Sequence, residues 1–181
     1  MFNSPRQYRY INNEKVEGQI FHLLGFEVSS RQNILVQIEE FTEHPFCFIK
    51  FYDRDHRESS DAFNRLTKKG NAPVVLGTCL HIMADFYKKN PYMSFGFTGS
   101  PTMEEMEMDS GTETKRSRVY RRIMEAVFSP KTFSHIVMED HSVYLMLNRD
   151  YCDHNPGVQT EMLQCIKNAY PDEPCWRDLL P

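Results

Sequence analysis

The chain runs to 181 residues with a net charge of −4 at pH 7, 40% hydrophobic, 13% aromatic and 25% charged. Those figures exclude a disordered or collagen-like chain and allow a hydrophobic core without metals or disulfide staples. The negative total excludes an indiscriminate nucleic-acid coat, yet a basic patch can act locally because screening confines charge effects to about 10 Å.

Residues 1–18 are polar and charged with no apolar h-region, so no signal peptide is expected. Period-two alternation follows: Ile20, His22, Leu24, Phe26 and Val28 share one face of an expected strand, and Ile34, Val36 and Ile38 one face of the next. In a third, Phe46, Phe48 and Lys50 alternate with Cys47, Ile49 and Phe51. Polar turns at 29–33 and 42–45 make these an antiparallel meander. A dense polar loop occupies 53–61, and 62–67 reads as a short further strand.

Asn71 as cap and Pro73 in the first turn then open a helix. Val75, Cys79, Ile82 and Phe86 form one row on it; Leu76, Leu80, Met83 and Tyr87 form the adjacent row. Asn90-Pro91 ends it. Met93, Phe95 and Phe97 alternate into a Thr98-Gly99-Ser100 turn, after which 101–114 has no branched aliphatic residue and reads as a mobile acidic insertion. A second helix is expected over about 116–128, burying Val119, Tyr120, Ile123, Met124 and Val127 and exposing Arg118, Arg121, Arg122 and Glu125. Strands over 133–139 and 142–148 follow, joined by a hairpin turn at Asp140-His141. Val158, Met162, Cys165, Ile166 and Ala169 mark a shorter terminal helix, and 171–181 reads as a Pro-rich tail. The expectation is one α+β domain over 1–181: a mainly antiparallel sheet in the order β-β-β-(β)-α-β-α-β-β-α, with the two main helices packed on one face.

The five cysteines, Cys47, Cys79, Cys152, Cys165 and Cys175, form no C-x-x-C pair, which suits reduced thiols. No apolar run reaches the length of a bilayer span. The expected location is therefore the cytoplasm, with no membrane association.

The strongest local signal is electrostatic. Glu104, Glu105, Glu107, Asp109 and Glu113 immediately precede Lys115, Arg116, Arg118, Arg121 and Arg122. Cations at a helix N-terminus oppose the backbone dipole, so a negative companion must offset them. A strand end, a glycine turn and a helix start are the parts of an anion pocket, and Arg118 adds a bidentate grip on phosphate or carboxylate. There is no P-loop pattern. The plainer reading is that Gly99-Ser100-Pro101 is only a turn, the arginines a solvated helix face, and the acidic run an unspecific loop.

His22, His44, His56, His81, His135, His141 and His154 show no metal spacing, and Cys152-Asp153-His154 lacks the four convergent ligands that zinc requires. No metal and no cofactor is expected. Asp53-Arg54-Asp55-His56-Arg57-Glu58 gathers the residue types of a nuclease site, and equally those of a polar loop. No Ser-His-Asp, Cys-His or H-E-x-x-H arrangement stands out.

Gly70-Asn71-Ala72-Pro73 opening a helix, Asn90-Pro91 closing it, the Gly99-Ser100 turn and Arg116-x-Arg118-x-Tyr120 opening the next helix resemble a family of small uncharacterised bacterial proteins, found mostly in Bacteroidetes. In that family an Arg-x-Arg-Leu-Tyr sequence follows the turn more closely; here the acidic insertion separates them. The resemblance covers about residues 62–148. It implies no activity, but it implies that Gly99, Ser100, Arg116, Arg118 and Tyr120 act together. The resulting expectation is a non-catalytic binding module of the bacterial cytosol. It would take an anionic partner (nucleic acid, nucleotide or acidic protein segment) through Gly99, Ser100, Arg116, Arg118, Tyr120 and Arg122. A toxin–antitoxin or phage-defence setting enters only by analogy. The alternative is a small enzyme acting on a phosphodiester or nucleotide, its base drawn from His56, His135, His141 or Asp53.

Overall fold

The computed structural model describes residues 5–59, 62–64, 70–98, 114–138 and 143–171, and for Asn64, Lys115 and Arg116 the backbone alone. The fold is α+β, built on one seven-stranded sheet in the spatial order β1-β2-β3-β4-β5-β7-β6.

Strands β1 (Tyr8–Val16), β2 (Gln19–Ser29), β3 (Gln32–Phe41) and β4 (Phe46–Asp53) form an antiparallel meander. The first hairpin is tight because Gly18 takes φ 74°, a conformation that costs glycine little. Strand β1 is an addition to the expected order. Only Tyr8 of its nine residues is even half-buried, so neither face carries the alternation that reveals a covered strand. The further strand expected at 62–67 is instead a 3-10 turn over Ala62–Asn64, with 65–67 outside the described residues.

Helix α1 (Ala72–Lys89) carries the chain from β4 to β5 (Ser94–Thr98), which pair in parallel, as a helical crossover permits. Asn71 stands at its N-cap position without a capping hydrogen bond; its Nδ2 donates instead to Gln32 Oε1 at 2.7 Å. Helix α2 (Lys115–Val127) is capped by Thr114, whose hydroxyl accepts from the Ser117 N–H at 3.2 Å. Thr114, expected to end the insertion, is thus buried helix cap, while 101–113 lie outside the described residues. Strands β6 (Phe133–Met138) and β7 (Val143–Asn148) pair antiparallel, and β7 also joins β5. Their connection, with Asp140 and His141, is outside the described residues, as is 172–181. A one-and-a-half-turn helix absent from the expected order, α3 (Arg149–His154), is capped by Asn148 and leads into α4 (Val158–Ala169).

Alternation along the strands divides the core in two. Leu24, Ile34, Val36, Ile38, Cys47, Ile49, Phe95, Tyr144 and Met146 point to the face covered by α1 and α2. Phe41, Phe46, Phe48, Val143, Leu145 and Leu147 point to the other, where Val158, Met162, Leu163 and Ile166 of α4 meet them. The two longer helices therefore share a face, and α4 lies opposite. On α2 the buried stripe is Ser117, Tyr120 and Met124. Val119 and Val127, expected inside, are 45% and 49% exposed. Val119 sits well round the helix from that stripe, and Val127 is on the last turn.

Candidate functional site

Of the residues expected to bind an anion together, Gly99 and Ser100 lie outside the described residues, and so does the side chain of Arg116, which occupies the first turn of α2. Arg118 and Arg122, one helical turn apart, are exposed. Tyr120 is buried, its ring 6.2 Å from that of Phe51 and 6.0 Å from that of Phe97, so it fixes α2 to the sheet.

A second set of arginines lines a groove of about 650 Å³ on the α4 side of the sheet, over the β1–β3 end that α4 leaves uncovered. Its construction follows from register. Arg9 of β1 stands opposite Gly25 of β2, Gly25 opposite Leu35 of β3, and Leu35 opposite Tyr52 of β4. The row runs straight across four strands, and its second member has no side chain. Ile11 Cδ1 and Leu35 Cδ2 lie 3.0 and 3.3 Å from where a Gly25 Cβ would stand, so the two side chains close in over the glycine and form the floor. Leu23 extends that floor toward a small cluster of Leu35, Tyr52, Ala62 and Phe63.

The rim is charged. Arg54 and Arg57 come from a 3-10 turn (Arg54–His56) that Asp53 starts by accepting from the Asp55 N–H. Gln7 of the segment before β1 adds a further polar group to the lining, as do Glu27 and Asn33, cross-strand partners on β2 and β3. Among the described residues, no carboxylate lies within ion-pair distance of Arg9 or Arg54, and Glu27 pairs with none of the three arginines. Arg57 approaches Glu58 only at 4.0 Å, with both side chains largely solvated, so that pair contributes little. Three guanidinium groups thus line one concavity, and two of them, Arg9 and Arg54, have no carboxylate partner among the described residues; the guanidinium fork is the group that grips phosphate or carboxylate at two points.

The remaining polar clusters are occupied in holding the fold. On the α1 side, Tyr10 Oη lies 2.7 Å from His22 Nδ1, and His22 Nε2 lies 2.7 Å from Glu40 Oε2, linking β1, β2 and β3. Tyr8 donates to Asp85 at 2.6 Å and so ties β1 to α1. Burial and this bond push the Tyr8 phenol up to about 12. The bond from Tyr8 holds the Asp85 carboxyl below its usual value. On the α4 side, Glu39 is 2% exposed and ion-paired to Lys50 at 2.9 Å; Gln37 and Tyr170 donate to it as well.

Among the catalytic bases considered from sequence, Asp53 accepts from Gln32 and caps the 3-10 turn. His135 is bonded to the Tyr144 hydroxyl, and burial lowers its basicity; His141 is outside the described residues. His154 folds back on Asp150, bonding its backbone carbonyl and approaching its carboxylate. Burial raises the Cys47 thiol well above its ordinary value and the Cys79 thiol to about 12. Among the described residues no three His, Cys, Asp or Glu side chains are placed to hold a metal ion, and no helix is long and apolar enough to cross a membrane.

The groove was only half visible in sequence. Arg54 and Arg57 stood out within a polar loop, but Arg9 sits on a strand without a pattern, 45 residues from Arg54. The overlooked signal is Gly25, a glycine inside an alternating strand, which marks a place where something approaches the backbone closely. No family model, no curated protein and no solved structure matches the chain.

Proposed function

We propose that this protein is a non-catalytic binding module of the bacterial cytosol that takes an anionic partner. The observation that carries the reading is the concavity bordered by Arg9, Arg54 and Arg57, two of which have no carboxylate neighbour among the described residues. Free guanidinium groups around an apolar floor are strongly attractive to an anion because part of the ligand's water is already excluded there. Arg118 and Arg122 on α2 offer a separate exposed pair, on a convex helix face.

The test is binding of the purified protein to single-stranded RNA, duplex DNA, nucleotides and an acidic peptide across a salt series. Affinity for at least one of these falls as salt rises, with a slope reporting the number of contacts made. Replacing Arg9, Arg54 and Arg57 by Ala removes that binding, whereas Arg118→Ala with Arg122→Ala leaves most of it. Salt-independent binding, or loss confined to the α2 pair, overturns the assignment to the groove.

A further inference from the structure

The two edges of the sheet are defended differently. Strand β1 carries Arg9, Glu14 and Lys15, and its register with β2 shifts between Tyr10 and Asn12, a bulge that discourages further pairing. Strand β6 has none of these devices. Its residues, Phe133-Ser134-His135-Ile136-Val137-Met138, include no proline, carboxylate, lysine or arginine, and they pair with β7 without a shift. We infer that β6 is the docking edge for a second copy of this chain. The two strands pair antiparallel about a two-fold axis at Ile136 and join two seven-stranded sheets into one.

Main-chain geometry selects that axis. The Arg149 N–H donates to the Thr132 carbonyl at 2.9 Å, so these two residues are a hydrogen-bonded pair of the β6–β7 ladder. Bonded and non-bonded pairs alternate along an antiparallel ladder. Ser134, Ile136 and Met138 therefore bond toward β7, and the N–H and C=O groups of Phe133, His135 and Val137 point away from it. Two contacts agree with this phase: the Phe133 N–H reaches outward to the Ser129 carbonyl at 3.0 Å, and the N–H of its β7 partner Asn148 turns to Ser94 Oγ at 2.9 Å. Among the described residues no main-chain group bonds the outward N–H and C=O of His135 and Val137. With Ile136 opposite its own copy, His135 faces Val137 of the second copy on both sides of the axis, and each such pair exchanges two hydrogen bonds. An axis at His135 would instead set Val137 against Phe133, whose donor is already spent.

The side chains suit the same axis. A two-fold perpendicular to the sheet carries each face of the strand onto itself. Val137 packs with the core on the α1–α2 side, and Ile136 and Met138 with the core on the α4 side, yet all three are only half-buried. Pairing covers what remains exposed. Ile136 meets its copy at a non-hydrogen-bonded position, where side chains approach most closely, and Ser134 stands beside Met138 of the second copy. An uncharged strand meets its own copy without repulsion. The arginine groove lies at the other edge of the sheet, so dimerisation leaves it open.

Sedimentation of the full chain from low micromolar to near-millimolar concentration tests the assignment. The parent passes from monomer to dimer and goes no further, because each copy has one β6 edge. Ile136→Lys sets two ammonium groups opposite each other and weakens dimerisation about tenfold or more, with a thermal melt to show that the variant folds. Ile136→Cys tests the register without adding charge. Cα atoms of a non-hydrogen-bonded pair stand about 4.5 Å apart, within disulfide reach, so diamide converts this variant to a covalent dimer. The parent, with its own cysteines, is the control and stays uncrosslinked under the same treatment. A parent that remains monomeric throughout, or that grows past the dimer, overturns the inference. So does a folded Ile136→Lys protein that dimerises as the parent does, or an Ile136→Cys protein that crosslinks no more than the parent. None of these results touches the anion-binding reading, which rests on the opposite edge.

Discussion

The α4 side of the sheet has two ends that were built differently from the same alternating strands. Toward β7, five large side chains of β4 and β7 (Phe46, Phe48, Val143, Leu145 and Leu147) are sealed under α4, each no more than 2% exposed. Toward β1 the same face carries Ile11, Leu23, Gly25 and Leu35 with no helix above them among the described residues, and arginines at the border. Each end contains a strand glycine, and the two glycines do opposite things. At Gly96 the space a side chain would take is already filled by aromatic rings, with Phe48 atoms 2.4 and 2.6 Å from the position of a Cβ. At Gly25 the nearest atom is the free end of an exposed isoleucine, which with Leu35 lies over the glycine as the floor of the groove. One glycine closes the core and the other leaves a site open.

That contrast predicts the largest effect in the molecule. Gly96→Ala drives a methyl group into Phe48 and Phe46, neither of which has room to retreat, and costs about 3 kcal/mol. For a chain of this size that is a fall in Tm of roughly 10 °C. Gly25→Ala stays within about 0.5 kcal/mol of the parent, because Ile11 can swing aside and the unfolded chain loses freedom. Its effect is on binding, which weakens as the trough fills. Thermal melts of both variants, read beside an anion-binding assay, break the comparison if Gly25→Ala proves the more damaging to stability.

The border between the two ends is marked by the Glu39–Lys50 pair. Lys50 lies over the Tyr170 ring at 5.1 Å from its centroid, and Tyr170 follows α4, so the pair ties the close of that helix to β3 and β4. Lys50→Met removes the charge while keeping the apolar stem. It leaves a buried carboxylate with hydrogen bonds but no counter-charge, and costs about 2 kcal/mol once the partial exposure of Lys50 is allowed for. Adding Glu39→Gln recovers more than half of the loss, because the second change removes the uncompensated charge. Urea midpoints for the two single variants and the double measure this; additive losses sink it.

The same division governs what could be read in the chain. Where a strand or helix is covered, residue pattern and structure agree: the alternating runs of β2 to β5 and the wide apolar stripe of α1 all report burial, and burial is what hydrophobic periodicity encodes. Where an element is uncovered the pattern falls silent. Strand β1 is held by Tyr8, by backbone pairing and by the Tyr10–His22–Glu40 chain, none of which leaves a period-two trace. Helix α3 is only six residues long, too short for a helical repeat to declare itself. On α2 the apolar residues were legible but their facing was not, because Val119 looks like core in sequence and only the position of the sheet assigns it to solvent. The groove was hidden for a further reason: Arg9, Gly25 and Arg54 become neighbours through strand register, which composition does not specify.

A smaller predicted loss tests how the open end keeps its edge strand. Strand β1 has a single neighbour in the sheet, and Tyr8 anchors it to α1 through Asp85 at 2.6 Å. Tyr8→Phe removes that bond and costs about 1 kcal/mol at pH 7, since Asp85 keeps Lys88 at 3.0 Å and remains partly solvated. The pH dependence has a definite sign at both ends. The Asp85 carboxyl is lowered from its ordinary 3.8, so its contribution is full above that value and is lost as pH falls through the lower native one. The Tyr8 phenol is raised from 10.0 to about 12, so its contribution is full below 10 and is lost as pH climbs toward 12. The stability gap between parent and Tyr8→Phe is therefore widest across the neutral range and narrows toward both extremes. Urea titrations at acid, neutral and strongly alkaline pH read the gap directly, and a constant difference between the two proteins would show that the Tyr8–Asp85 bond does not hold β1.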